Sequence, residues 1–180
     1  VSTSSSERTP GGAVVTGGTR GLGRAVVDRL AADGGRVAAV YRSDDAAAEA
    51  LERHGEENGW EISTFRADLS SPEECRDVVG RISTEHGVVD RLVNNAAVLI
   101  ESKIRDVTVQ EWDIVLDNNL RSAFLLCQAV WEPMVAQGYG RIVNIGSVTA
   151  TSGNPVEVAY GASKAGLIGM TRSLAMAGAR

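Results

Sequence analysis

Five short runs of β-branched and small apolar residues alternate with five longer helical patterns along this chain. The runs are residues 13–16, 36–41, 61–67, 91–94 and 141–146, and the helical patterns cover 21–33, 44–58, 72–86, 108–137 and 157–178. Strands that alternate with helices form a parallel sheet, because each helix carries the chain back across the sheet. Near-continuous apolar strands indicate that helices cover both faces. The pattern predicts an α/β fold with a doubly wound parallel sheet.

Local signals support three of the helices. The first helix carries an apolar stripe at three- and four-residue steps, formed by Leu22, Ala25, Val26 and Leu30. Pro72 follows two serines and marks the start of the third helix. Pro133 lies inside the long fourth pattern, and we expect it to bend that helix.

The length of 180 residues is that of about one domain. We assign residues 13–180 to that domain and interpret the polar start, 1–12, as a flexible tail. The chain stops at SLAMAGAR, at or near the end of a helix and with no strand after it. Two expectations stay open there: a sheet that is complete, or one that lacks its C-terminal strands.

Charge and composition exclude several classes of function. A net charge of -5 argues against a broad nucleic-acid or anionic-membrane surface. No apolar run approaches the ~18 residues of a membrane span, and the start lacks the organisation of a signal peptide. The two cysteines, Cys75 and Cys127, predict reduced thiols and a cytoplasmic location. His54 and His86 lie in polar segments that we expect to be exposed, without partners at metal-ligand spacing, so we predict no metal site.

A glycine-rich turn joins the first strand to the first helix. Gly17, Gly21 and Gly23 give the pattern T-G-x-x-x-G-x-G within VVTGGTRGLGRAVV. Glycines allow the unusual dihedral angles of such a turn and let the backbone approach a pyrophosphate closely. The helix N-terminus adds unpaired N–H groups and the positive end of its dipole. The context of strand, turn and helix predicts a dinucleotide site of the Rossmann type.

The end of the second strand indicates which dinucleotide is preferred. An NAD site places an acidic residue there, but this chain has Tyr41 followed by Arg42, and Arg20 lies in the glycine turn. Two guanidinium groups near the ribose favour a 2′-phosphate, so we predict NADPH over NADH. The alternative is that these arginines pair with Asp44 or Asp45, which would also repel a phosphate.

Tyr160 and Lys164 stand four residues apart in the last helical pattern, within VEVAYGASKAGLIG. This spacing places both side chains on one face of a helix, about one turn apart. An isolated pair of this kind is usually a solvated surface pair. The alternative is a phenol that gives up its proton more readily because a nearby ammonium group stabilises the phenolate.

The ordered set of motifs resembles the short-chain dehydrogenase/reductases, in particular 3-oxoacyl-acyl-carrier-protein reductases and related acetoacetyl-CoA and polyketide ketoreductases. The resemblance runs from about Ala13 to the end of the chain and rests on several motifs: TGGTRGLG, Asp68-Leu69, NNAA at 94–97, LDNNL with Asn119, NIGS ending in Ser147, and YGASK. One departure is Ala97, where the family usually has glycine.

The resemblance implies a role for each matched residue. Tyr160 would donate the proton, Lys164 would assist it and hold the nicotinamide ribose, Ser147 would bind the substrate carbonyl, and Asn119 would hold a water that links Lys164 to solvent. The implied cofactor-binding residues are Gly17, Thr19, Arg20, Gly21, Leu22, Gly23, Tyr41, Arg42, Ser43, Asp68, Leu69, Asn95, Ala96, Tyr160 and Lys164. The implied substrate is a small ketone or 3-oxoacyl thioester. The implied assembly is a homo-oligomer, a tetramer or a dimer, formed through the helices at 108–137 and 157–178.

Other interpretations of the same residues remain open. Ser147 could be a loop serine, Asn118 could face inward in place of Asn119, and Asp68 could cap the third helix. Asn94 and Asn95 could tie loop backbones together. At the level of the whole chain, the alternatives are a shortened nucleotide-binding module without turnover, and an NAD-dependent alcohol or sugar dehydrogenase.

Overall fold

A computed structural model describes residues 11–179, and its strands form one parallel sheet. The strands are β1 (Gly12–Thr16), β2 (Val37–Tyr41), β3 (Ile62–Arg66), β4 (Val89–Asn94) and β5 (Arg141–Asn144). Their spatial order is β3-β2-β1-β4-β5, with every neighbouring pair parallel. The order reverses at β1, since the chain first builds β2 and β3 on one side and then β4 and β5 on the other. The predicted doubly wound sheet is confirmed.

Helices connect the strands and cover both faces of the sheet. They are α1 (Gly21–Ala32), α2 (Asp45–Asn58), α3 (Pro72–His86), α4 (Val109–Leu116), α5 (Ser122–Ala136), α6 (Thr149–Ser152) and α7 (Val158–Gly178). Their starts have sequence causes. Ser71 caps α3 ahead of Pro72, and Thr108 caps α4 through a reciprocal capping box with Glu111. No helix in the described part of the chain is long and apolar enough to cross a membrane.

Two apolar cores lie on opposite faces of the sheet because successive strand residues point in opposite directions. Val14 and Val40 pack on the face covered by α3 and α5, with Ile82 and Leu126. On the other face, the strand residues Val15 and Val37 pack with Val27 of α1 and Leu51 of α2. Burying each such side chain stabilises the fold by about 1.5–3 kcal/mol. The sheet therefore forms a rigid platform for whatever its strand ends carry.

The predicted stripe on α1 is partly wrong. Leu22 is 58% exposed and Ala25 is also exposed, whereas Gly23, Val27 and Ala31 form the buried face. Gly23 sits against the turn that precedes the helix, and this close contact decides which face is turned inward. The buried face is therefore rotated relative to the predicted stripe.

The predicted helix at 108–137 is interrupted. A π-helical turn at Asp117–Arg121 separates α4 from α5, while Pro133 stays inside α5. Side chains satisfy carbonyl groups around this wider turn: Asn118 Nδ2 donates to the Ile114 carbonyl at 2.9 Å, and the Ser122 hydroxyl donates to the Asn118 carbonyl. The turn brings Asn119 inward, where it is only 2% exposed.

His86 is buried, which contradicts the expectation that both histidines are exposed. Its ring is 4% exposed and lies edge-on to Phe65, with ring centres 6.0 Å apart. Its Nε2 atom is 3.1 Å from the Ser63 hydroxyl. His54 has a side chain that is 38% exposed, as expected. The polar residues next to His86 in the sequence therefore did not indicate that its side chain is buried at the end of α3.

The first strand begins one residue earlier than predicted. Gly12 belongs to β1, and the backbone N–H of Gly11 donates to the Asp90 carboxylate at 2.9 Å. These two residues are therefore part of the fold and do not belong to the predicted tail. The rest of the predicted tail, 1–10, lies outside the described residues.

The two edges of the sheet are built differently. At the β3 edge, the Glu52 carboxylate of α2 accepts hydrogen bonds from the Thr64 backbone N–H at 2.8 Å and from its hydroxyl at 2.7 Å. At the opposite edge, β5 pairs only with β4 among the strands of residues 11–179. Val143 of β5 is 49% exposed. The β3 edge is capped by a side chain, whereas the β5 edge has no such cap within residues 11–179.

Both cysteines are buried free thiols, as predicted for Cys127. The Cys75 thiol donates to the Leu69 carbonyl at 3.2 Å, and the Cys127 sulfur accepts from Asn94 Nδ2 at 3.5 Å. Burial raises the pKa of each thiol from 9.0 to about 11.

These thiols predict a loss of stability in alkali. In the unfolded chain they ionise near pH 9, but in the folded chain they keep their protons until about pH 11. Below pH 9 both thiols contribute fully to the free energy of unfolding. As the pH rises to 11 that contribution is lost, by about 2 kcal/mol for each thiol. Urea unfolding of the parent and of a Cys75→Ala, Cys127→Ala double variant at several pH values between 8 and 11 measures this. We expect a shallower fall in the double variant; equal falls would assign the effect to other groups.

Candidate active site

The candidate site lies where the strand order reverses, at the carboxyl ends of β1 and β4. Ligands of open α/β sheets bind at such switch points because the connections leave in opposite directions and open a crevice. Here the Thr16 hydroxyl accepts hydrogen bonds from the backbone N–H groups of Asn95 and Ala96, both at 2.9 Å. Asn95 Nδ2 donates back to the carbonyls of Thr16 at 2.9 Å and Gly17 at 3.3 Å. These bonds, which we call the β1–β4 junction, hold the glycine turn against the end of β4.

A crevice of about 300 Å³ opens beside the β1–β4 junction. Nine of the predicted cofactor residues line it: Gly17, Thr19, Arg20, Tyr41, Arg42, Ser43, Leu69, Asn95 and Ala96. Six further residues line it that the motifs did not single out for cofactor binding: Val40, Asp44, Ala67, Ala97, Val98 and Asn118. The predicted residues Gly21, Leu22, Gly23, Asp68, Tyr160 and Lys164 lie outside this lining.

The glycine turn has the properties of a phosphate site. Gly17 and Gly21 have φ values of 64° and 55°, a region that glycine adopts without strain. A Cβ atom on Gly23 would lie 2.1 Å from the Gly17 carbonyl oxygen, so the turn packs against α1 too closely for any side chain. The first turn of α1 contains no acidic residue, and its N-cap, Arg20, makes no side-chain capping bond. The helix N-terminus thus keeps its N–H groups and positive dipole end for an anion.

Cations and carboxylates meet at the β2 end of the crevice. Arg20 and Arg42 line it, and neither forms a salt bridge with a carboxylate in the described part of the chain. Asp44 caps α2 by accepting from the Ala47 backbone N–H at 3.0 Å. Tyr41 donates its hydroxyl proton to Asp45 at 3.0 Å, and its burial and this bond raise the pKa of the phenol. The alternative in which Arg20 and Arg42 form salt bridges with Asp44 or Asp45 is therefore wrong.

Asp68 turns its carboxylate toward its own loop. It accepts from the backbone N–H of Ser70 at 3.0 Å and from the Ser70 hydroxyl at 2.7 Å. These bonds, helped by the charge of Arg42, hold the pKa of Asp68 below its usual value. The cap of α3 is Ser71, so Asp68 does not cap that helix. Asp68 shapes the loop beneath the crevice, and Leu69 is the one of this pair that lines it.

Asn119 links the crevice to α7. Its amide exchanges two hydrogen bonds with the Val98 backbone, at 2.7 Å and 2.9 Å, and donates to the Ser163 hydroxyl at 3.1 Å. Ser163 in turn donates to the Tyr160 carbonyl at 2.7 Å. Both Nδ2 hydrogens of Asn119 are therefore used inside the protein. Any water held by Asn119 would have to bind one of its oxygen atoms.

Lys164 and Tyr160 lie together on one face of α7. The Lys164 Nζ atom is 5.6 Å from the centre of the Tyr160 ring and donates to the Ile145 carbonyl at 2.7 Å. Lys164 is only 2% exposed, and this burial lowers its pKa. A buried ammonium group costs free energy unless polar groups face it. The Ile145 carbonyl and the aromatic ring supply such groups, which rules out a solvated surface pair.

Ser147 lies two residues beyond the carbonyl that binds Lys164. Its hydroxyl accepts from the Thr149 backbone N–H at 3.2 Å. Thr149 donates its own hydroxyl proton to Glu157 at 2.9 Å, just ahead of α7. The loop that carries Ser147 is thereby tied to the start of the helix that carries Tyr160. No residue among 11–179 accepts a hydrogen bond from the Ser147 hydroxyl or contacts the Tyr160 hydroxyl through one, so both protons are available.

The residues that the sequence did not reveal act mainly through their backbones or through partners far along the chain. Val98 uses only backbone atoms, so no side-chain pattern could have identified it. Thr16 and Ser163 were present in the quoted motifs but had no assigned role. Their hydroxyls become meaningful only when Asn95 and Asn119 are placed beside them.

With this geometry known, comparisons with other proteins identify the family. A family model described as short chain dehydrogenase matches residues 12–180. The chain belongs to the short chain dehydrogenase family. An acetoacetyl-CoA reductase of Rhizobium meliloti (strain 1021) is 40% identical over 167 residues, which are 93% of this chain and 67% of that relative. A 3-oxoacyl-[acyl-carrier-protein] reductase of Escherichia coli (strain K12) is 38% identical over 91% of this chain and 65% of its own length.

Solved structures of other proteins share the fold. An actinorhodin polyketide ketoreductase variant with NADPH superposes with a TM-score of 0.90 at 31% identity, covering 95% of this chain and 66% of that one. A blue fluorescent protein from a metagenomic library in complex with NADPH has a TM-score of 0.86 at 38% identity, covering 92% and 68%. The chain therefore spans about two thirds of the length of these relatives.

The close contact at Gly23 gives a prediction. In a Gly23→Ala variant the added methyl group would meet the Gly17 carbonyl, so the turn must shift. We expect a loss of about 1–3 kcal/mol in the free energy of unfolding and weaker binding of a nicotinamide cofactor, measured by urea unfolding and by fluorescence titration. Gly80→Ala is the matched control, because its Cβ would meet nothing within 4 Å. That change should leave binding unaltered and stabilise α3 by about 0.5–1 kcal/mol; equal behaviour of the two variants would contradict the tight turn.

Proposed function

We propose that the chain reduces a ketone, and specifically a 3-oxoacyl thioester, to a secondary alcohol with NADPH, Tyr160 being the proton donor. The observation that carries this proposal is the buried Lys164 ammonium group beside the Tyr160 ring, at the strand ends next to a dinucleotide crevice. The reductase names of the relatives support the reaction, and their acyl-CoA and acyl-carrier-protein substrates support the thioester.

Reduction of a ketone needs a proton at the carbonyl oxygen as well as a hydride at the carbon. Tyr160 donates its hydroxyl proton to the oxygen and is left as a phenolate. The positive charge of Lys164 stabilises that phenolate, since the two groups lie on one helix face in a poorly solvated site. The hydrogen bond to Ile145 keeps the ammonium group in place between turnovers.

Ser147 binds the substrate carbonyl through its free hydroxyl proton, which orients the oxygen for protonation by Tyr160. Asn119 keeps α7 in register with the crevice through Val98 and Ser163. In our proposal an oxygen atom of Asn119 also holds the water through which Lys164 and Tyr160 regain a proton.

Residues of the crevice fit NADPH. When bound, this cofactor supplies the hydride. The glycine turn and the start of α1 would hold its pyrophosphate, Leu69 and Ala96 would flank the adenine end, and Lys164 would hold the nicotinamide ribose. Arg20 and Arg42 would bind the 2′-phosphate, which supports NADPH over NADH. The solved relatives that carry NADPH support the same preference.

A Tyr160→Phe substitution tests the reductase. It removes the proton that is donated and keeps the ring beneath Lys164, so we expect kcat to fall about a thousandfold with unchanged NADPH affinity. The measurement is NADPH consumption with an acetoacetyl thioester, alongside a fluorescence titration. Tyr139→Phe, in which Tyr139 stacks on Arg141 away from the crevice, should retain full activity.

The outcomes of this experiment separate the proposals. Parent turnover that persists in Tyr160→Phe would contradict the assigned proton donor. NADPH binding without any parent turnover would favour a nucleotide-binding module. Faster turnover of a secondary alcohol with NAD would favour an alcohol or sugar dehydrogenase.

We also propose that the chain forms a homo-oligomer, a dimer or a tetramer. Large apolar side chains are exposed on α4 and α5, where Val109 is 70%, Ile114 is 47% and Phe124 is 47% exposed. Several large exposed apolar side chains on consecutive helices are typical of an interface between subunits. Light scattering should give a multiple of the 18.9 kDa chain mass, and Phe124→Glu should weaken the assembly; a parent that stays monomeric would contradict this proposal.

A further inference from the structure

Two carboxylates follow Arg42 closely and bear on any phosphate bound there. Asp44 and Asp45 stand two and three residues after Arg42, and Asp44 lines the crevice. A carboxylate near a 2′-phosphate repels it and can also compete with the phosphate for Arg42. Asp44 is occupied as the N-cap of α2, where the helix N-terminus offsets part of its charge. Asp68 also senses the charge of Arg42, but two hydrogen bonds from Ser70 hold its carboxylate in its own loop. Among the carboxylates near Arg42, Asp45 is therefore the one whose partners could change.

The Asp45 carboxylate contacts Tyr41 of β2 and Arg66 of β3. One of its oxygens accepts from the Tyr41 hydroxyl at 3.0 Å, and the other is 3.8 Å from the Arg66 Nη1 atom. Arg66 is directly opposite Tyr41 in the register of β2 and β3, so both partners approach Asp45 from the sheet. The negative charge of Asp45 is thus balanced by a guanidinium group that takes no part in the crevice lining.

Arg66 makes a second contact that concerns Arg42 itself. Its Nε atom donates to the Arg42 carbonyl at 3.1 Å, which fixes the backbone where the chain leaves β2. The carbonyl of Arg66 in turn accepts from Arg81 Nη2 at 3.2 Å, so Arg66 is anchored to α3. The Arg42 side chain lines the crevice without a salt bridge to any carboxylate of residues 11–179.

We propose that Arg66 is a positioning residue for the specificity of the cofactor site. By balancing Asp45 and holding the Arg42 backbone, it leaves the Arg42 guanidinium for a 2′-phosphate, and without it Asp45 becomes a competing partner for Arg42. This inference rests on the proposed preference for NADPH and adds a residue outside the crevice to it. Arg66 itself does not touch the phosphate.

The expected effect is selective for the 2′-phosphate. The ion pair is exposed, at 63% for Arg66 and 60% for Asp45, so its loss should change the stability of the fold little. A doubly charged 2′-phosphate is affected more strongly, because loss of the Arg66 charge leaves the Asp45 carboxylate unbalanced. We expect about a five-fold loss of affinity for a ligand that carries this phosphate. A ligand without that phosphate should bind as before.

Calorimetric titration with two adenine ligands tests the proposal on the 180-residue chain without catalysis. Adenosine 2′,5′-bisphosphate carries the 2′-phosphate and 5′-AMP lacks it. Arg66→Gln should bind the bisphosphate about five-fold more weakly than the parent and 5′-AMP equally well. An Asp45→Asn, Arg66→Gln double variant should regain most of the lost affinity, because the competing carboxylate is removed. Arg53→Gln on α2, which makes the same change in net charge at an exposed pair with Glu49, should bind both ligands like the parent.

Each other result overturns a definite part of the argument. A parent that binds both ligands equally would overturn the preference for NADPH itself. With that preference intact, three results would overturn the role of Arg66: unchanged binding in Arg66→Gln, equal weakening toward both ligands, or a double variant no better than Arg66→Gln. The last would point to direct contact between Arg66 and the phosphate. A loss in Arg53→Gln equal to that in Arg66→Gln would reduce the effect to net charge.

Discussion

The β1–β4 junction is the constraint on which the rest of the site depends. The Thr16 hydroxyl accepts hydrogen bonds from two backbone N–H groups of the segment after β4. The Asn95 amide donates one bond back to β1 and one to the glycine turn. These four hydrogen bonds fix the ends of β1 and β4 relative to each other, at the point where their connections leave in opposite directions. From there Val98 reaches Asn119, and Asn119 reaches α7 through Ser163. The crevice and the helix that carries Tyr160 and Lys164 are thus linked through residues 95–98 and the hydrogen bonds at both ends of this segment.

The strands were predictable because the central ones are buried on both faces and read as apolar runs. The first three agree with their predicted ranges to within one residue at each end. The last strand ends at Asn144 instead of residue 146, since the Ile145 carbonyl accepts from Lys164. Of the nine crevice residues, Gly17, Arg20, Tyr41 and Arg42 followed from the glycine turn and the end of the second strand, because in a parallel sheet those positions converge on one edge. The other five came from the family resemblance.

What the sequence did not reveal depends on partners distant along the chain. The π-helical turn that separates α4 from α5 brings Asn119 to Val98 and Ser163, which lie 21 and 44 residues away. His86 is buried through contacts with Ser63 and Phe65, more than 20 residues earlier. Local spacing carries no information on such contacts. The same limit applies to Arg66, whose strand pattern shows only an outward-facing residue next to Phe65.

The unequal edges of the sheet have a consequence for the behaviour of the chain in concentrated solution. An uncovered strand presents a row of backbone donors and acceptors on which any extended segment can dock. The Glu52 carboxylate removes one donor from the β3 edge, which makes growth of the sheet unfavourable in that direction. The short strand β5 offers no comparable block within residues 11–179, and the groove of α5 and α7 beside it is lined partly by apolar side chains such as Trp131 and Leu174. An extended segment that pairs with β5 would therefore meet unpaired backbone groups on one side and the apolar side chains of this groove on the other.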